Sequence, residues 1–352
     1  MHGYSLSCYT KIYNTMKIAI LFLLLVLFSS CKGSSEKNFF NGDLKEISFD
    51  KELFLDSKRM DVDSIGIVKA EDFHSYLLLI KYRSTSFLSL YSYPNLEFIG
   101  EYFHKGEGPK DFLSFNIIKK EYPYLWIQDY RTKQLKKVNV EKGFDRGNIE
   151  IEKVYNYQNI EDPFSLFYIN DTCLVIKNFN QKKGLHYLRF NPQIGKIMSE
   201  EISLYNKPVD YNLMNKISTL ADNIHPDGTK IVTVTGAFDQ IDILNLTDLS
   251  KSFSVSTSSK RTSYEQILTE KDEDLKTYYF SIPVCDKEKI FVLYESIDDT
   301  QIHVIDWEGN PIIRLHLQRN IRDFSIDFER KLLYGTEDVS ENIYVYDIHD
   351  IV

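Results

Sequence analysis

Cys31 is the residue whose surroundings most directly specify a reaction. An unbroken apolar run, Ile18 to Phe28, follows the positive charge of Lys17, and Ser29 and Ser30 stand immediately before the cysteine. A basic residue followed by an apolar stretch of this length is what export machinery takes as a signal segment. Compact side chains before the cysteine are what a peptidase needs to cut beside a thiol that already carries diacylglycerol. The run is shorter than the ~20 residues that cross a bilayer. The sequence therefore predicts that residues 1–30 form a removed leader, with Met16 the better start, and that 31–43 form a tether. Cys31 would carry a thioether-linked diacylglycerol and an amide-linked chain such as palmitate, and stable anchoring generally takes two such signals. Lys32, rather than Asp, after the cysteine points to the outer membrane of the cell envelope.

Other reaction signatures are missing from the sequence. The eight histidines form no HExxH pair, no CxxC is present, and neither a GxSxG elbow nor a GxxxxGK[ST] phosphate loop occurs. Asp298-Asp299 and Asp272-Glu273-Asp274 could attract calcium, yet neither has the spaced ligands and closing Glu of an EF-hand loop. No cofactor is expected, with calcium the one ion these acidic loops leave open. Cys173 and Cys285 are too few and too far apart for a disulfide framework. Lys105-Gly106-Glu107-Gly108-Pro109-Lys110-Asp111-Phe112 specifies a tight loop of fixed shape. It either shapes a junction, or the amides of Gly106 and Gly108 line a channel mouth.

The charge balance narrows the partners. Formal net charge is −9, and loss of Lys11 and Lys17 with the leader takes it to about −11. Such a chain repels phosphate backbones, which argues against nucleic acid. The 24 tyrosines suit half-buried strands.

Positioning of any site depends on a repeat. Six short apolar strands recur at Tyr76–Lys81, Tyr124–Asp129, Thr172–Lys177, Thr229–Thr235, Lys289–Tyr294 and Lys331–Thr336, starting 48, 48, 57, 60 and 42 residues apart. Each is followed by a second strand. This is the spacing of four-stranded propeller blades. The expected fold is all-β, a six-bladed β-propeller over 44–352. The sixth unit lacks an outer strand, and Lys45–Leu55, which alternates polar with apolar, would close the ring from the N-terminus. Tyr211–Leu220 and Ser263–Tyr279 have helical spacing and read as small helical insertions between blades 3 and 4 and blades 4 and 5. Cys173 and Cys285 then fall in non-adjacent blades and should stay unbridged. Polar residues on the inner strands would face a central tunnel, and Asn116, Asn223, His225 and Asp323 are the candidates.

Leu27-Phe28-Ser29-Ser30-Cys31 resembles a bacterial lipobox, and Gly106–Phe112 has the form GxGPxxF after a strand pair, with Asp111 where many relatives have Glu. With six weak repeats over Lys45 to Val352, the chain resembles the TolB-like six-bladed propeller lipoproteins of Bacteroidetes. The resemblance implies the fold and the anchor, and it carries over no catalytic residue. The functional expectation is a binding module that presents one propeller face to a protein, peptide or glycan, without catalysis. The alternative is a calcium-assisted hydrolase or lactonase-like enzyme in the tunnel, which needs oxygen ligands converging from several blades.

Overall fold

The computed structural model describes residues 43–352 apart from 145–148, 162, 181–183, 200–201, 204–220, 259–266, 268, 270–276, 297–298 and 338–339. The leader, Cys31, most of the tether and nearly all of the two expected helical insertions lie outside the described residues. Within Ser263–Tyr279, Tyr279 is described, and it pairs with Tyr294 in an antiparallel bridge.

Sheet formation follows from runs that are apolar on both faces. In Tyr76–Lys81, Leu77 and Leu79 pack against Tyr334 and Ile343. Leu78 and Ile80, pointing the other way, pack against Phe112, Phe115, Leu125 and Ile127. A strand buried on both faces reads as continuous rather than alternating hydrophobicity, because successive side chains serve the two neighbouring sheets. Phe291 and Leu293 join one cluster while Ile290 and Val292 join another in the same way.

Six sheets result, and each carries consecutive antiparallel strands. Blade 1 is β4 (Ile67–Phe73), β5 (Tyr76–Lys81), β6 (Ser86–Ser92) and β7 (Phe98–His104). Blade 2 is β8 (Asn116–Glu121), β9 (Tyr124–Asp129), β10 (Gln134–Asn139) and β11 (Glu150–Asn156). Blade 3 is β12 (Pro163–Asn170), β13 (Cys173–Asn180) and β14 (Gly184–Asn191), with the short β15 (Lys196–Ile197) and β16 (Ile202–Ser203) both on β14. Blade 4 is β17 (Ala221–Ile224), β18 (Lys230–Val234), β19 (Ile241–Asn245) and β20 (Phe253–Ser256). Blade 5 is β21 (Val284–Cys285), β22 (Lys289–Glu295), β23 (Thr300–Asp306) and β24 (Pro311–Leu317). Blade 6 is β25 (Asp323–Asp327), β26 (Leu332–Thr336) and β27 (Ile343–Asp347). Cys173 and Cys285 are free thiols.

The ring is closed from the N-terminus, but not by the expected segment. Three short strands, β1 (Asp43–Glu46), β2 (Glu52–Leu55) and β3 (Ser57–Met60), run as a strap across three blades. β1 adds parallel to β20 and β2 adds parallel to β24, so Lys45–Leu55 supplies fifth strands to blades 4 and 5. The missing outer strand of blade 6 is β3, antiparallel to β27 with Met60 opposite Ile343. Ile47 and Leu55 are buried. Phe49 packs on His303 at 4.9 Å between ring centroids, and Phe54 stacks on His316 at 4.3 Å. Arg314 Nη1 reaches Glu52 Oε1 at 2.8 Å.

Candidate functional site

The inner strands cannot be apolar on the side that faces the axis, and this is where the charged residues collect. Residues of all six blades, among them Lys69, Glu71, Asn116, Lys120, Asp222 and Asn223, surround a chamber of about 580 Å³. It extends to the ends of the inner strands, at His74, Tyr122 and Glu329.

Polar groups in and beside this chamber join each blade to the next. Lys120 Nζ of blade 2 lies 3.3 Å from Glu71 Oε2 and 3.2 Å from Asp72 Oδ1 of blade 1, and Lys69 Nζ approaches Glu71 Oε1 at 3.1 Å. Lys119 Nζ lies 5.2 Å from the ring centroid of Tyr168 in blade 3. Ser165 Oγ donates to Asp222 Oδ1 at 2.7 Å, across blades 3 and 4. Asn223 Nδ2 donates to Pro283 O at 2.8 Å, Ser281 Oγ to Asp323 Oδ1 at 2.9 Å and Ser325 Oγ to Ala70 O at 2.6 Å, which completes the circuit. Asp222 is the most heavily bonded of these groups. Lys177 Nζ stands 2.9 Å from Oδ2, and Tyr187 OH donates to the same oxygen at 2.7 Å.

These pairings set the protonation states. Burial alone would raise the carboxyl of Glu71, but the Lys120 and Lys69 ammoniums override it and hold it at about 2. Burial works against the charge of Lys69 and Lys120, yet Glu71 raises both above the ordinary lysine value. Burial raises the carboxyls of Asp72 and Asp323, against the pull of Lys120 and Lys69 respectively. Burial also pushes the Cys285 thiol up to about 12, so this chamber-lining thiol stays protonated.

A carboxylate whose folded value is depressed contributes stability above its unfolded value and loses it as pH falls through the folded one. For Glu71 that window runs from pH 4.5 down to about 2. Glu71→Gln is therefore expected to flatten the fall in urea midpoint across this range. An unchanged slope would mean that Glu71 is not held by the two lysines.

The candidates named from sequence divide. Asn116 and Asn223 line the chamber. Asp323 lines a second cavity at the opposite end of the channel. His225 lines neither. It sits in the turn after β17 against Trp307, with ring centroids 4.8 Å apart, and its Nε2 is 3.1 Å from Lys287 O, so it joins blade 4 to blade 5.

Gly106 and Gly108 line neither cavity, because their loop folds onto itself. Gly108 N donates to Asp111 Oδ2 at 3.1 Å and Gly106 N to Phe112 O at 3.3 Å, while Phe112 is fully buried. A Cβ on Gly106 would stand 2.4 Å from Asp111 Oδ2, and one on Gly108 2.6 Å from it. The glycines make room for the folded-back carboxylate. Gly106→Ala should lower the thermal midpoint in the native background and do so much less in Asp111→Ala. Equal losses in both backgrounds would show that the two residues are not coupled.

Sequence reasoning missed Lys69, Glu71, Asp72, Lys120 and the Asp222–Lys177 pair. The signal was present, since VKAEDF and IIKKE place charges directly after apolar residues at the starts of blades 1 and 2. Among the described residues, no three His, Cys, Asp or Glu side chains converge as metal ligands. The carboxylates of Glu71, Asp72 and Asp222 are engaged by lysines. That donor set does not fit calcium, which takes six to eight oxygens.

Comparison with known proteins places the architecture. The family model described as TolB-like 6-blade propeller-like matches residues 67–329. A DUF4221 family member from Bacteroides vulgatus is similar in structure, with a TM-score of 0.53 and 13% identity, over 86% of this chain and 97% of that one. A Bacteroides fragilis protein whose name describes it as exported is similar at a TM-score of 0.50 and 11% identity, over 87% of this chain and 98% of its own. No curated protein matches the sequence. At such identities the two structures speak to fold alone, and the family match rests on three-quarters of the chain: it belongs to the TolB-like six-bladed propeller family.

Proposed function

We propose that this protein is a propeller held on the cell envelope, at the outer membrane, by lipid on Cys31, and that it binds a polar ligand without catalysing a reaction. The observation that carries the binding reading is the state of the chamber's ionisable groups. Glu71 pairs with Lys120 across blades 1 and 2 and with Lys69 of its own strand, and it stays charged far below neutral pH. A general acid or base works best with a value near the operating pH. Groups fixed in one charge state instead offer a permanent polar surface. A volume of about 580 Å³ falls within the range of ligand sites and accepts a small polar molecule or the tip of a peptide or glycan chain. The apolar run Ile18–Phe28 followed by Ser29-Ser30-Cys31 supports the anchor.

Calorimetric titration of the full chain in detergent against glycan and peptide panels tests the binding reading. Saturable heat without turnover is expected. Calcium binding accompanied by lactone or glycan hydrolysis would overturn it in favour of an enzyme. For the anchor, labelled palmitate should enter the native chain and not Cys31→Ser. Equal labelling of the two would refute acylation at Cys31.

A further inference from the structure

The two ends of the channel differ in chemistry. The chamber runs toward the ends of the inner strands, whereas a separate cavity of about 360 Å³ lies at their starts. That end carries the connections between blades and the turns after β5 and β9. Tyr82, Arg83, Phe280, Arg322, Asp323 and Glu337 are among its walls.

The turn after the second strand of a blade repeats a dipeptide in blades 1 and 2: Tyr82-Arg83 follows β5 and Tyr130-Arg131 follows β9. Both tyrosines are half exposed, at 53% and 51%, and among the described residues neither hydroxyl has a hydrogen-bond partner. Arg83 is exposed and its guanidinium is in no ion pair among the described residues. An exposed arginine without a structural partner contributes little to the fold, so its presence in a cavity wall calls for another reason. Tyr82 shares the cavity wall with Asp323 and Phe280, residues at the start of the inner strand of blade 6 and beside that of blade 5.

Carboxylates complete the wall. Asp323 uses Oδ1 to accept from Ser281 Oγ at 2.9 Å and Phe324 N at 2.7 Å, and Oδ2 takes no hydrogen bond among the described residues. Glu341 turns inward to accept from Gly66 N through Oε2. The cavity thus offers a guanidinium fork for a planar anion, free carboxylate oxygens for hydroxyl donors, and aromatic faces beside them.

The geometry points to this mouth as a binding site for an acidic saccharide, a hexuronate whose carboxylate meets Arg83 and whose hydroxyls donate to Asp323 and Glu337. A guanidinium binds a carboxylate with two parallel hydrogen bonds. The C–H face of the sugar ring lies on Tyr82, an amphipathic ring suited to such contact. A peptide terminus also presents a carboxylate, but it brings few hydroxyls for the acidic oxygens, which would then oppose it. The assignment goes beyond the chamber reading, since it names a second site and its ligand class.

The test is calorimetric titration of the full chain in detergent with trigalacturonate, with its neutral galactose counterpart and with triglycine. Trigalacturonate alone is expected to bind saturably, and Arg83→Ala and Tyr82→Ala should each weaken it about tenfold or more. Both side chains are exposed, so these variants should keep the native thermal midpoint. Equal binding of the neutral trisaccharide, tighter binding of triglycine, no saturable binding of trigalacturonate, or unchanged affinity in Arg83→Ala would each overturn the proposal. Loss of binding in Lys119→Ala, at the chamber, with Arg83→Ala unaffected would also overturn it while leaving the chamber reading intact.

Discussion

Asp222→Ala should destabilise the protein by about 3–5 kcal/mol, the range for removing one partner of a buried ion pair. The side chains of Lys177 and Asp222 are almost wholly buried, and their charged atoms lie 2.9 Å apart. Replacing the carboxylate also removes the acceptor to which Tyr187 OH and Ser165 Oγ donate at 2.7 Å each. Losing only the hydrogen bonds would cost roughly 1–3 kcal/mol per unsatisfied group. The larger figure arises because the ammonium of Lys177 loses the carboxylate that offsets its desolvation. The double variant Asp222→Leu/Lys177→Met should regain most of the loss, since a buried pair can often be exchanged for apolar residues at little net effect. Urea unfolding reads both. A loss below 1 kcal/mol in the single variant would mean that water reaches the pair and that the junction of blades 3 and 4 does not depend on it.

A chain begun at residue 61 should lose cooperative unfolding altogether. Removal of the strap takes Ile47 and Leu55 from buried positions, strips Phe49 from His303 and Phe54 from His316, and leaves β27 with an open edge. Full burial of each large apolar side chain contributes about 1.5–3 kcal/mol. The sum is on the order of 5 kcal/mol or more before the lost β-ladders are counted, comparable with the entire stability of many domains. Adding a peptide of residues 43–60 should restore a sigmoidal transition. If the shortened chain unfolds at the native urea midpoint, the strap is ornamental.

The strap also shows what can and cannot be read from sequence. The middle strands of every blade were legible because they are buried on both faces and so carry dense apolar runs, as in Leu77 to Ile80. Lys45–Leu55 was recognised as strand-forming, since Ile47, Phe49, Leu53 and Leu55 recur at even spacing along one face. Its partner was not legible, because parallel addition to an outer strand demands only one apolar face, which blades 4 and 5 offer as well as blade 6. The true closing strand, Ser-Lys-Arg-Met at 57–60, lies at a partly exposed edge and has no apolar pattern to betray it.

The inner strand of blade 1 was hard to bound for a related reason. It runs over Ile67–Phe73, and the charges at 69, 71 and 72 resemble a loop until a polar channel is known to lie beside them. The candidate site suffered the same way: two amides were found, while the lysines and carboxylates that join the blades were passed over. His225, a histidine near an inner strand, proved to join blades 4 and 5.

Ring closure between β3 and β27 has a consequence for the order of assembly. Ser57–Met60 precedes every blade strand in the chain, and its partner Ile343–Asp347 follows the strands of the other five blades. Contacts so distant in the chain slow folding, because the loop must close before they reward it. The early blades can stack as they appear, yet β3 must wait beside them until Ile343–Asp347 has been made. A chain cut short before Ile343 would have nothing for Ser57–Met60 to pair with, so docking of β3 reports that β27 has arrived.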